Sequence, residues 1–286
     1  MEVPKMYKLY IGGKFTRTES ERYTPVVNPK TKEKICNISR ASRKDVRNAV
    51  VAARSGFNTW SAKTGYERGQ ILYRLAEMLE GRKEQLAHEI TLTTTNTKPQ
   101  ASKEVMKAID RIIWYAGLAD KYGQLIGTVN NVQSGYFNFS IAEPTGVVGI
   151  LLPEEQPFLA LISRLCAVIT SGNSCIIIPS EKSPLAALTF SEIAATSDIP
   201  AGVVNILTGR KKELLPHLAS HMDVNAFDYA DSNSAFKKEV QTACANNVKR
   251  FVYSATADYY NDDKNENILQ VQNFTELKTV WHTMGL

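Results

Sequence analysis

Residues Ile141–Gly209 read IAEPTGVVGILLPEEQPFLALISRLCAVITSGNSCIIIPSEKSPLAALTFSEIAATSDIPAGVVNILTG, and this stretch decides the fold. Three apolar, β-branched runs, Val147–Leu152, Cys175–Ile178 and Val203–Leu207, alternate with longer segments of helical period. Between the runs Phe158, Leu161, Ile162, Leu165 and Ile169 recur at helical spacing, as do Leu185, Leu188 and Ile193. Strands apolar along their whole length, crossed over by amphipathic helices, belong to a parallel sheet covered on both faces. The spacing therefore predicts a doubly wound α/β fold. Ligands of such sheets sit outside the carboxyl ends of the strands. Those ends fall at Pro153-Glu154-Glu155, Pro179-Ser180-Glu181 and Thr208-Gly209.

Outward from this core, the N-terminal part begins with a Gly-Gly turn between apolar runs at Lys8–Phe15, a hairpin signal. Arg22–Ile38 is a further extended segment turning at Asn28-Pro29. From Ser42 the period becomes helical, with Ser42 as N-cap and Asp45 in an acidic first turn. A second helix spans Gly65–Glu80 and stops at Gly81; Leu86–Leu92 and Ala101–Tyr122 continue in helix. Gln124–Ile141 is polar and alternating. After Gly209 the winding goes on through a helix at Lys211–Ser220, a strand at Val224–Phe227, a helix at Ala235–Ala245 and a strand at Lys249–Tyr253. Asp258–Asn267 is the most polar stretch and reads as a loop, and Leu269–Val280 alternates as a strand.

A chain of 286 residues with 43% hydrophobic and 22% charged residues is long enough to bury a large core and has ordinary globular composition. The net charge of +5 is small and scattered, with no basic stripe interleaved with aromatics, which argues against nucleic acid as a partner. Cys36, Cys166, Cys175 and Cys244 are too far apart for metal-ligand spacing and read as buried, reduced thiols. The first residues carry no signal-peptide pattern, and no apolar run is long enough to span a bilayer, so a cytoplasmic location without membrane attachment is expected.

The core stretch also resembles the cofactor-binding core of the aldehyde dehydrogenase superfamily. There a strand ends in Pro-Trp-Asn-Phe-Pro, a second in Lys-Pro-Ser-Glu, and a third follows Pro-Pro-Gly-Val-Val-Asn and ends in Gly. The matching residues here are Pro153-Glu154-Glu155-Gln156-Pro157, Ile178-Pro179-Ser180-Glu181, and Pro200-Ala201-Gly202-Val203-Val204-Asn205 with Gly209. YIGGKF, the helix reaching Trp60, ERGQILYRLAEMLEGR and the stretch Leu92–Pro99 follow the family's order, most closely that of its tandem, two-copy subfamily. Gln124–Ile141 and Leu269–Val280 resemble the family's extended β arm. In complete members a catalytic domain lies between the last cofactor-domain strand and that tail. The resemblance thus implies a truncated member, partitioned into residues 1–123 (hairpin and helices), 124–141 (arm), 142–258 (Rossmann-like part), 259–268 (a loop in place of the catalytic domain) and 269–286 (C-terminal arm strand).

What the resemblance implies for chemistry is mostly loss. The family's nucleophilic cysteine follows a Gly-Gln motif that is absent here, and Cys244 lies on a helix instead. Glu155 stands at the oxyanion-donor position, where a carboxylate repels a developing oxyanion. Ser254, in the run Val252–Ala257, stands at the position of the catalytic base. Pro153, Pro179, Ser180, Glu181 and Gly209 keep the cofactor-binding frame, and Glu181 is placed to accept from ribose hydroxyls or to sit at a helix N-terminus. Ile178 replaces the family's ribose-binding lysine, and Asp231, in Tyr229–Ser232, brings a negative charge to the pyrophosphate position. NAD or NADP is therefore expected to bind weakly or not at all. The expected role is assembly or regulation, as a homo-oligomer or with a complete aldehyde dehydrogenase. The alternative is an NAD(P)-dependent oxidoreductase with residual activity or completed by a partner chain.

Overall fold

The structure, a computed structural model, describes residues 5–133, 135–255 and 258–284. Thr256 and Ala257, the end of the run aligned with the family's base, lie outside the described residues, as do 1–4, Ser134 and 285–286. The chain opens with the hairpin β1 (Leu9–Ile11) and β2 (Lys14–Thr16). Gly12 and Gly13 turn it at φ 59° and 75°, backbone that costs a residue with a Cβ about 1–2 kcal/mol. A second hairpin, β3 (Tyr23–Val27) and β4 (Lys34–Ser39), turns where the Asn28 side chain accepts from Lys30 N. Helices follow where the period changes: α1 (Arg43–Ser61), α2 (Gly65–Glu80), α3 (Lys83–Thr93), α4 (Lys98–Leu118) and the short α5 (Tyr122–Ile126). Ser42 and Asp45 form a reciprocal capping box on α1, and Thr64 with Glu67 forms another on α2.

The arm strands are β5 (Thr128–Asn130) and β6 (Tyr136–Pro144); Gln124, expected in the arm, belongs to α5. The β/α winding then runs β7 (Val147–Leu151), α6 (Pro157–Ile169), β8 (Ser174–Ile178), α7 (Leu185–Ala194) and β9 (Val204–Ile206). It continues through α8 (Lys211–Ala219), β10 (Ala226–Tyr229), α9 (Ser234–Ala245) and β11 (Arg250–Tyr253). The main sheet has the order β11-β10-β7-β8-β9-β1-β2. Its first five strands are parallel, and the N-terminal hairpin extends it antiparallel through Tyr10 opposite Ile206. Ile177 enters the core cluster of Trp60 and Leu165, whereas Ile176 and Ile178 enter that of Val50 and Leu214. Burial on both faces explains why these strands are apolar at every position. Chain order reverses between β7 and β10, which makes their carboxyl ends the switch point of the sheet.

The segment after β11 corrects the sequence reading. Residues 259–268, expected as a loop, contain α10 (Asp262–Asn265), and α11 (Ile268–Gln272) replaces the beginning of the expected strand. Asn261 and Asn267 cap these helices, signals that a uniformly polar composition conceals. Arg111 of α4, wholly buried, holds the segment by donating to Glu266, Asp262 and the Tyr259 carbonyl at 3.0–3.1 Å. The Tyr115 hydroxyl adds a bond to Asn265 O. Val271 and Phe274, expected on the partly uncovered arm, are instead fully buried in the main core.

The last strand, β12 (Thr275–Thr283), pairs antiparallel with β6 from Thr275 opposite Pro144 to Thr283 opposite Tyr136. The arm sheet has the order β12-β6-β5. One side chain staples both strands to the body at their root: Asn173 accepts from Gly146 N and donates to Phe274 O. Arg250 donates to Asn273 O and Thr275 O and pairs with Glu276. Away from the root the arm is open. Phe137, Ile141, Leu277 and Trp281 are each at least two-fifths exposed.

Candidate functional site

The loops after β7, β8, β9 and β10 converge at the switch point, and they bring together most of the residues singled out from the sequence. Lys211, the first residue of α8, is buried there. Its ammonium donates to Leu152 O at 2.7 Å and to Asp231 at 2.6 Å, and lies 2.6 Å from Glu154. Glu154 in turn accepts from Ser180 Oγ, Glu181 N and Lys182 N, so the β7 and β8 loops are tied through one carboxylate. Burial works against the ionised form of Glu154. The Lys211 ammonium and the bonds from Ser180 and Lys182 outweigh it, and the carboxyl is held below its ordinary range.

Several sequence expectations change in this setting. Asp231 does not present a free charge to a phosphate; it is spent on Lys211 and on Asn233 N. Glu181 does not stand in the first turn of α7, which begins at Leu185. Its carboxylate accepts from Lys211 N at the start of α8. Ile178 does not face the crevice; it is fully buried with Leu207 and Leu214, so a lysine there would bring an ammonium into apolar packing. Pro153 and Pro179 are buried, and Gly209 is held tightly. A Cβ on it would come within 3.1 Å of Leu214 Cδ1 and 3.3 Å of Ala41 N. The residue missed in the sequence is Lys211. A signal existed: a lysine in the first turn of a helix opposes the dipole and calls for acidic neighbours. Those neighbours, Glu154 and Asp231, are distant in the chain and meet it only at the switch point.

The positions aligned with catalytic groups fare no better. Glu155 is exposed. Ser254 follows β11 and donates to the Asp228 carboxylate, whose other oxygen accepts from Arg164 Nε at 2.7 Å. Arg164 also donates to Gln270 of α11. Burial disfavours the guanidinium, yet Asp228 beside it raises its pKa above the ordinary value. Ser254 is thus a ligand of a buried ion pair, with its hydroxyl proton directed at the Asp228 carboxylate. Cys244 is buried on α9 and its thiol is pushed up to about 11 by desolvation, the reverse of an activated nucleophile. Among the described residues no cluster of His, Cys, Asp and Glu is arranged to hold a metal ion.

A dinucleotide is the group that this type of sheet invites, and the residues present do not fit one. Two carboxylates, Glu154 and Asp231, flank the place where a diphosphate would lie, and the one buried cation between them is already neutralised. The open space nearby is a groove of about 490 Å³ between the β3–β4 turn and the end of α3, lined by Asn28, Thr94, Glu154, Glu181 and Lys182, so that it borders the bridge on its Glu154 side.

Comparison with known proteins places these observations. The aldehyde dehydrogenase family model matches residues 15–256. Omega-crystallin of Enteroctopus dofleini is 31% identical over 86% of this chain and 50% of its own length. Cytosolic aldehyde dehydrogenase 1 of Elephantulus edwardii is 32% identical over 85% of the chain and 49% of its own. Cytosolic 10-formyltetrahydrofolate dehydrogenase of Mus musculus is 32% identical over 85% and 28%. Among solved structures, the NAD+ complex of aldehyde dehydrogenase from Bacillus cereus superposes with a TM-score of 0.82 at 26% identity, covering 86% of this chain and 50% of that one. Betaine aldehyde dehydrogenase from Staphylococcus aureus in complex with NAD+ gives 0.81 at 25% identity, over 86% and 48%. The chain spans about half the length, or less, of the curated relatives it matches.

Proposed function

The chain belongs to the aldehyde dehydrogenase family, and from that premise we propose that it is a non-catalytic member that acts by assembly, joining itself or a complete aldehyde dehydrogenase through its arm. The observation that carries this reading is the arm sheet itself, which offers a free edge strand and exposed Phe137, Ile141, Leu277 and Trp281. An open strand edge beside apolar side chains is a template for association. Inactivity is supported by the switch point, where Lys211 is engaged with Glu154 and Asp231, and by Ser254 and Glu155 at the positions of base and oxyanion donor.

A second reading, favoured by the retained Glu181 and Gly209 at the strand ends, keeps the protein a cytoplasmic NAD(P)-linked oxidoreductase completed by a partner chain that supplies the cysteine. Two measurements separate them. Calorimetric titration with NAD and NADP is expected to show no saturable binding, and aldehydes are expected to show no turnover, alone or with added complete enzyme. Light scattering and pull-down with a complete aldehyde dehydrogenase are expected to show an oligomer or a mixed complex. A monomer at tens of micromolar that takes up no complete member, or that binds NAD at low micromolar concentration, overturns the assembly reading.

A further inference from the structure

The assembly reading leaves open which partner the arm takes; resting on that reading, we infer that the free edge of β12 pairs with β12 of a second copy of this chain, antiparallel and centred on Thr279. Three observations lead there. The first is the parity of the edge. Thr145 N donates to Phe274 O and Met284 N to Gly135 O, so even-numbered residues of β12 turn their backbone groups toward β6. In an antiparallel ladder the alternate residues face the other way. Leu277, Thr279 and Trp281 therefore offer their N–H and C=O groups outward, at the edge of the sheet.

The second is the side-chain pattern about Thr279, which is symmetric. A two-fold axis through Thr279 places Leu277 of each strand opposite Trp281 of the other, and Thr279 opposite Thr279. These are the most exposed large apolar side chains of β12, at 55% and 60%. Apolar–aromatic and Thr–Thr pairs are among the favourable cross-strand combinations. Thr279 is also the midpoint of Thr275–Thr283, so this register gives the longest overlap. Centring on Lys278 would set two ammonium groups opposite each other. At the centred register Lys278 faces Val280, and it keeps its own counter-ion, Glu143, at 3.1 Å.

The third is what closes the ladder. At the root Arg250 already donates to Thr275 O and pairs with Glu276, so the edge is occupied there and opens only beyond it. The free groups are thus those of Leu277, Thr279, Trp281 and Thr283, and the first three are their own complement about Thr279. Among the described residues of β12 there is no proline or bulge, the usual guards of an exposed edge. A second copy is the occupant that supplies an edge of the same parity and the same spacing.

The register can be read by cysteine cross-linking, since the four native cysteines are buried. Thr279→Cys is expected to form a disulfide-linked dimer under mild oxidation. Leu277→Cys alone is expected not to, whereas a mixture of Leu277→Cys and Trp281→Cys is. Thr279→Pro removes an outward N–H and leaves the backbone bonds to β6 in place, losing there only the hydroxyl contact with Ser140 Oγ, and it is expected to weaken dimerisation at least tenfold by sedimentation. Thr279→Lys, which keeps the backbone intact, is expected to do the same with an unchanged circular dichroism spectrum. Leu277→Cys linking to itself, or a wild-type dimer indifferent to both Thr279 variants, overturns the inference and leaves assembly through another surface standing. A chain that is monomeric alone yet binds a complete aldehyde dehydrogenase also overturns it while keeping the assembly reading. A chain that does neither overturns both.

Discussion

The switch-point crevice and the arm are the two places where the family places its ligands and its neighbours, and in this chain they have been treated in opposite ways. At the crevice the carboxylates of Glu154, Glu181 and Asp231 are satisfied from within, by Lys211, by Ser180 or by a neighbouring backbone amide. On the arm, apolar side chains and backbone groups are left to solvent. Internal pairing offsets the desolvation of buried charges within the fold itself, whereas exposed apolar surface gains only when something covers it. On the proposed reading, a closed ligand crevice and an open association surface stand side by side within one fold.

The sharpest way to break this comparison is to unbalance the closed region. Arg164→Met leaves Asp228 buried without its cation and is expected to lower stability by about 4 kcal/mol, read from urea unfolding. A loss under about 1 kcal/mol would mean that Ser254 and solvent suffice for Asp228. Lys211→Met is next. Glu154 and Asp231 then face each other uncompensated, for a loss of about 3 kcal/mol, and adding Glu154→Gln with Asp231→Asn is expected to recover most of it. If the triple variant also binds NAD where the wild type does not, the lysine bridge is what closes the crevice.

Acid should act on the same bridge. The Glu154 carboxyl is held below its ordinary value, so its contribution is complete above the unfolded pKa of about 4.3 and is lost as pH falls through the lower folded value. The urea midpoint of the wild type is expected to drop between about pH 5 and pH 3, and by less in Lys211→Met. Equal slopes in the two proteins would remove Glu154 from the account. The smallest effect on stability belongs to the arm. Leu277→Ser with Trp281→Ser is expected to change unfolding by no more than about 1 kcal/mol, because each side chain is more than half exposed. The same variant is expected to abolish association by light scattering. Unfolding that follows instead would mean that the arm face is covered by the chain's own body.

How much of this was legible depended on range. The strands around Ile150, Ile177 and Ile206 declared themselves because burial on both faces demands an unbroken apolar run, and the helix start at Ser42 because an N-cap and an acidic first turn are local. The frame at Pro153, Ser180 and Gly209 was read from punctuation. Lys211 escaped because its charge is balanced by residues that are remote in sequence. The segment held by Arg111 escaped for a similar reason. Its two short helices are fixed by caps and by a side chain from α4, and neither leaves an apolar period to read. The inward face of Ile178 was misjudged because a strand end fixes residue order but not which side of the sheet a given side chain takes.

The staple made by Asn173 has a mechanical consequence. By fastening the roots of both arm strands to the turn before β8, it makes the arm a cantilever, rigid at its base and about 30 Å long for the nine residues of β12. Two such beams laid side by side, each clamped at the opposite end, hold their bodies apart and produce a particle shaped like a dumbbell. Such a pair sediments more slowly than a sphere of equal mass, and its distance distribution in small-angle scattering has two lobes.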